Sequence, residues 1–189
     1  MQSQRHSGGD PLLDAAYGCV MDVGLRRTTL ADVARRAGVS RMTVYRAYAD
    51  LDGLVGALLF RELGDVLAGA AQETADLPTA RQRLVEAGVL VVHRTAAHPL
   101  LRKVLDLDPE LLLPLVVDRF GSTQVAARVA VAEQVREGLA DGSIRALDPD
   151  VAATCLLLTA QSFVFSARVV AGLDLDDELR HLLDGYLRP

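Results

Sequence analysis

Residues 28–46, TTLADVARRAGVSRMTVYR, leave this chain few ways to fold. Gly38 stands between two short helical patterns, and glycine adopts positive φ without a steric penalty. Ser40 follows as an N-cap for a second helix. Ala34 and Ala37 are small enough for two helices to approach closely, and Val33, Val39 and Val44 suit a shared apolar inner face. The segment therefore predicts two helices joined by a tight turn. Arg41, Thr43, Tyr45 and Arg46 on the second helix offer partners to phosphates and base edges. A helix-turn-helix sets such a helix into the major groove of duplex DNA.

The net charge of −5 alone argues against a nucleic-acid binder, but the distribution of charge points the other way. Residues 1–50 carry seven Arg and five Asp, and the remaining residues carry −7. Within residues 26–46, six Arg face only Asp32. A basic patch on an acidic body is an electrostatic footprint for DNA. Taken by itself, the same run also fits a solvated face.

Half the 189 residues are hydrophobic, yet only 4% are aromatic and Trp is absent. A core of Leu, Val and Ala suits packed helices, and no segment shows a strand pattern. The expected fold class is all-α. Residues 1–10 read as a disordered tail, 11–50 as a three-helix DNA-binding domain with the helix-turn-helix, and 51–189 as a larger helical ligand-binding and dimerisation domain. Asp10 and Pro11 open the first helix, which Gly24 closes. Thr28 or Thr29 caps the next, with Asp32 placed as in a capping box. A long helix follows over 51–75, another over 80–98 behind Thr79, and then a stretch punctuated by Pro99, Pro109 and Pro114. The last three helices are expected over 123–140, 151–171 (ended by Gly172) and 174–187. Cys19 and Cys155 read as buried free thiols of a reducing compartment. The N-terminus lacks a charged start followed by an apolar run, and the longest apolar runs stop short of membrane-spanning length, so no membrane association and a cytoplasmic location are expected.

Residues 28–58 resemble the DNA-binding segment of the TetR family of transcriptional regulators. The matching features are a Thr cap, Asp-Val-Ala, the turn Ala-Gly-Val-Ser, Thr-Val-Tyr and an aromatic at Tyr48. Beyond the first third of the chain only the layout matches. The resemblance implies an all-helical homodimer that binds a palindromic operator in double-stranded DNA, usually as a repressor, and is released by a small effector molecule. It implies that Ser40, Arg41, Met42, Thr43, Tyr45 and Arg46 face DNA. Residue chemistry agrees: the Thr43 and Tyr45 hydroxyls suit phosphates, as do Arg26, Arg27 and Thr29. Met42 suits a thymine methyl, and Arg41 or Arg46 suits guanine O6 and N7, worth roughly 1–3 kcal/mol of discrimination. Tyr45 could instead pack in a seam, and Tyr48 is expected to lie in the core. One position departs from the family: the usual Lys at the start of the fourth helix is Leu51, between Asp50 and Asp52. That helix N-terminus could still offer amides to a phosphate.

In the second half, His93, Thr159, Gln161 and Ser162 are the polar candidates for an effector site inside apolar helices, each also readable as a structural hydrogen bond. Arg102 and Arg119 are candidates to meet an acidic ligand but default to the surface. An apolar cavity with few polar groups suits a small hydrophobic molecule. The last two helices, about 149–172 and 174–187, are the dimerisation candidates, since paired hairpins form a four-helix bundle. Alternatives are control by a protein partner, or a helical adaptor with weakened DNA binding. Neither paired carboxylates, nor metal-ligand spacing, nor a Gly-rich phosphate loop points to an enzyme, a cofactor or a metal. His93 and His98 are five apart, a poor match to one helix face.

Overall fold

The computed structural model describes residues 10–112 and 120–189. The tail expected over residues 1–10 lies outside that range except for Asp10, as do Pro114 and Arg119. Every regular element among the described residues is helical: α1 (Pro11–Val23), α2 (Leu30–Ala37), α3 (Arg41–Ala47), α4 (Leu51–Thr74), α5 (Ala80–Ala97), α6 (Pro99–Leu107), a 3-10 turn (Pro109–Leu112), α7 (Ser122–Ala140), α8 (Pro149–Ser166) and α9 (Asp176–Leu187). They pack into two compact units. The first takes the residues up to Arg61 and those from Pro99 to the 3-10 turn; the second takes Glu62–His98 and Phe120–Pro189.

In the first unit each short helix is fixed by its ends. Asp10 accepts the Leu12 amide at 2.8 Å, with Pro11 in the first turn. Gly24, at φ 86°, ends α1. The Thr29 hydroxyl accepts the Asp32 amide at 3.2 Å and donates to the Asp32 carboxylate at 2.5 Å. Gly38, at φ 70°, takes the left-handed conformation between α2 and α3, and Ser40 accepts the Thr43 amide at 3.1 Å. The core joins Leu12, Ala16 and Val20 of α1, Val33 of α2, Val44 of α3, Leu54 and Leu58 of α4, and Leu100 and Val104 of α6. Gly18 matters by what it lacks: a Cβ there would lie 2.4 Å from the guanidinium carbon of Arg36, whose head pairs with Asp22.

In the second unit α5 is central, packing on α7, α8 and α9. Thr79 and Gln82 form a capping box at its start. The loop after α7 completes that end: Asp141 accepts the Ala80 amide at 2.9 Å, and Ser143 accepts the Arg81 amide at 3.2 Å. Hydrogen bonds to Asp141, that from the Ala80 amide foremost, hold its carboxyl below the ordinary range.

Three expectations are corrected. The helix expected over 151–171 stops at Ser166; i→i−3 bonds such as Val169 to Ser166, at 2.9 Å, replace the helical ladder before Gly172. A segment apolar on every side carries no phase from which to read its end. Cys19 is buried, but Cys155 is exposed. Its helix buries only Ala152, Ala153, Leu156 and Val164, leaving Val151 58% and Leu158 50% exposed; on α9, Leu182 is 56% exposed. Finally, α8 is long and apolar enough, by length and composition alone, to cross a membrane, against the expectation that the longest apolar runs stop short of that length.

Candidate nucleic-acid interface and cavity

The second helix of the motif has one inward residue. Val44 is fully buried, whereas Arg41, Met42, Thr43, Tyr45 and Arg46 are all exposed. With 3.6 residues per turn, a seven-residue helix needs little more than that anchor to dock on α2. Met42 is 61% and Tyr45 51% exposed, so Tyr45 is not a packed seam residue. Tyr48 is half-buried, and its hydroxyl donates to Asp10 at 3.0 Å, tying the end of α3 to the start of α1. Burial raises its hydroxyl pKa, and Asp10 adds to the effect.

Ion pairing sorts the six arginines of residues 26–46. Arg35 pairs with Asp32 at 2.7 Å, and Arg36 with Asp22. The Thr29 hydroxyl, then Arg35, hold the Asp32 carboxyl below its ordinary range. Arg26 binds Glu110 and lies 3.8 Å from Asp108. Arg27, Arg41 and Arg46 make no hydrogen bond or ion pair among the described residues, so their charge is uncompensated locally.

Other candidates are more committed. Thr29 is engaged with Asp32 on both sides. The hydroxyls of Ser40 and Thr43 lie 2.9 Å apart and share a hydrogen bond. At the start of α4, Asp50 accepts the Gly53 amide at 2.8 Å. That amide, one of those expected to be open to a phosphate, already has an anionic partner.

The second unit holds a cavity of about 520 Å³ among α4, α5, α7, α8 and α9. Its wall is mainly apolar, with Leu67 and Ala71 of α4, Val91 of α5, Ala127 and Val131 of α7 and Leu156 of α8. Its polar side chains are Thr74, Arg83, Gln134 and Glu137. Arg83 pairs with Glu137 at 3.0 Å and donates to the Leu77 carbonyl at 3.2 Å.

None of the four polar residues expected in such a site lines this cavity. His93 is exposed, with Nδ1 3.4 Å from Asp176. The Thr159 hydroxyl donates to the Cys155 carbonyl at 2.9 Å. Gln161 is half-buried and Ser162 exposed, and neither is part of the cavity wall that Leu156, Leu157 and Ala160 form on α8. The sequence does hold a signal for the lining of this cavity: Ala127, Ala130, Val131 and Gln134 recur at helical spacing on α7, with an amide inside the stripe. No group of three or more His, Cys, Asp or Glu side chains suited to a metal occurs among the described residues.

A short helix held by one apolar anchor and showing arginines and hydroxyls outward, after a glycine turn, defines a helix-turn-helix DNA-binding regulator. Comparison agrees. Residues 12–58 match the model for bacterial regulatory proteins of the tetR family. An uncharacterized HTH-type transcriptional regulator of Mycobacterium tuberculosis is 36% identical, over 99% of this chain and 98% of the relative. The chain belongs to the TetR family of transcriptional regulators. Solved structures share the fold: the Rhodococcus erythropolis repressor QsdR at a TM-score of 0.71 and 18% identity, covering 94% of each chain, and FadR of Bacillus subtilis in complex with stearoyl-CoA at 0.67 and 18%, covering 94% of this chain and 98% of that one.

Proposed function

We propose that this regulator is a homodimeric, cytoplasmic repressor that binds a palindromic operator through α3 and releases it when a small hydrophobic molecule occupies the cavity of the second unit. The observation that carries the DNA part is the outward array of Arg41, Met42, Thr43, Tyr45 and Arg46 around the single buried Val44. Arg27, Arg41 and Arg46 supply uncompensated charge, Thr43 and Tyr45 bond phosphates, and Arg41 or Arg46 reads a guanine edge. Arg26, Thr29 and Ser40 hold the scaffold of the same surface.

Homodimerisation rests on α8 and α9. Val151 and Leu158 of α8 and Leu182 of α9 are apolar and uncovered in one chain, and a helix apolar on several sides needs a partner on each. A second copy offers the same surface about a two-fold axis, and a palindrome requires two reading helices.

The apolar cavity favours a small-molecule effector over a protein partner, and FadR in complex with stearoyl-CoA sets a precedent for an acyl ligand in a relative of this fold. Release requires that the ligand bind the non-operator state more tightly. A gel-retardation assay of the purified protein on DNA upstream of its own coding sequence tests the proposal. Retardation that the double variant Arg41→Ala, Arg46→Ala abolishes supports it; unchanged binding by that variant overturns it.

A further inference from the structure

We infer that the cavity selects an uncharged amphiphile, an apolar body bearing one hydrogen-bonding head such as an alcohol or a primary amide, and rejects carboxylates and amines of equal chain length. This rests on reading the cavity as the effector site.

The polar groups are gathered at one end. Along α4, α5 and α7 the lining runs from Thr74, Arg83, Gln134 and Glu137 to Leu67, Val91 and Ala127, which have no polar side-chain atoms. Over eight residues of α5, from Arg83 to Val91, that path measures about 12 Å at the helical rise. A ligand therefore meets hydrogen-bonding groups at its head and hydrocarbon along its length.

The charge at the head end is already balanced. Arg83 is the one cation and Glu137 the one anion among the lining residues, and they pair at 3.0 Å. A carboxylate head would give up water beside Glu137 and gain an arginine that is already engaged. An ammonium head would meet the converse. With the Glu137 side chain 54% and Arg83 25% exposed, a charged head there keeps part of its water and loses the rest without a free partner in return, a net cost that a neutral head avoids. Thr74 is committed too, its hydroxyl donating to the Ala70 carbonyl at 3.0 Å. Gln134 makes no hydrogen bond among the described residues, so its amide keeps both a donor and an acceptor for a neutral head.

The test uses full-length protein, calorimetric titration at neutral pH, and four probes of one chain length: decanol, decanamide, decanoate and decylamine. Decanol and decanamide are expected to bind at least about tenfold more tightly than the two ions. Glu137→Gln, at an exposed side chain, leaves Arg83 without its counter-ion and is expected to raise decanoate affinity about tenfold relative to that of decanol. Gln134→Leu is expected to weaken decanol and decanamide about tenfold. Ala87→Phe, which fills the cavity, is expected to abolish binding, with thermal melts of each variant confirming the fold. Decanoate binding as tightly as decanol, no response of decanoate to Glu137→Gln, or no binding of any probe overturns the inference. Operator release is measured separately. Decanol that binds as expected without loosening DNA sinks the effector reading and leaves the selectivity standing.

Discussion

The carboxylate of Asp108 accepts the backbone amide of Leu25 at 2.9 Å, joining positions 83 residues apart. The same oxygen accepts the Arg26 amide at 3.2 Å, and Asp108 is only 5% exposed. The bend between α1 and α2 is thus held by a buried anion from just beyond α6. Asp108→Ala strips two amides of their acceptor and is expected to lower unfolding free energy by about 2–3 kcal/mol. Urea denaturation checks this, and an unchanged midpoint would refute it.

Pairing separates the arginines by role. Each lost phosphate contact lowers the slope of log K against log salt by roughly 0.9. Arg27→Ala is expected to lower it by that amount. Arg26→Ala is expected to lower it less, because Arg26 must first leave Glu110. Anisotropy titrations across a salt series decide, and equal slopes for the two variants would contradict the assignment.

Leu51 stands where the family resemblance leads one to expect a Lys, and Asp50 caps the Gly53 amide beside it. Leu51→Lys is expected to steepen the salt dependence by about one phosphate contact. A slope equal to that of the parent protein rejects the idea.

Leu158→Glu and Leu182→Glu place charge on the apolar face of α8 and α9. Each is expected to shift the protein from dimer to monomer in sedimentation velocity without loss of helicity. A dimer that tolerates both changes uses another surface.

His98 carries a pH signature. Its ring is largely buried, Nδ1 has no hydrogen-bond partner, and burial lowers its pKa, opposed by Glu62 at 3.6 Å. The unfolded chain therefore binds the proton more readily, so stability is full above the ordinary histidine value of 6.5 and falls as pH drops below it. Melting temperature is expected to decline between about pH 7 and 5.5, and to decline less in His98→Gln. Parallel curves would show that His98 does not contribute.

Sequence carried the first unit further than the second. Asp10, Thr29, Gly38 and Ser40 each act within a few residues of where they stand, so local rules of capping and turn geometry locate them. Asp108 does not: its partners are distant in the chain, and nothing in its neighbours marks it as a cap for α1–α2. The polar candidates on α8 stand out by being polar in an apolar run, but none belongs to the cavity wall, and the Thr159 hydroxyl donates to the Cys155 carbonyl. Gln134 has the right phase on α7 and is masked by the charged residues around it.

The slot at Gly18 couples that position to Arg36. Any side chain at 18 displaces the guanidinium of Arg36 and with it the grip on Asp22. In a randomised library of this domain, a small residue at 18 should therefore be accepted wherever the solvent-exposed Arg36 head swings aside, and the change should register as a lost pair with Asp22 rather than as a lost fold.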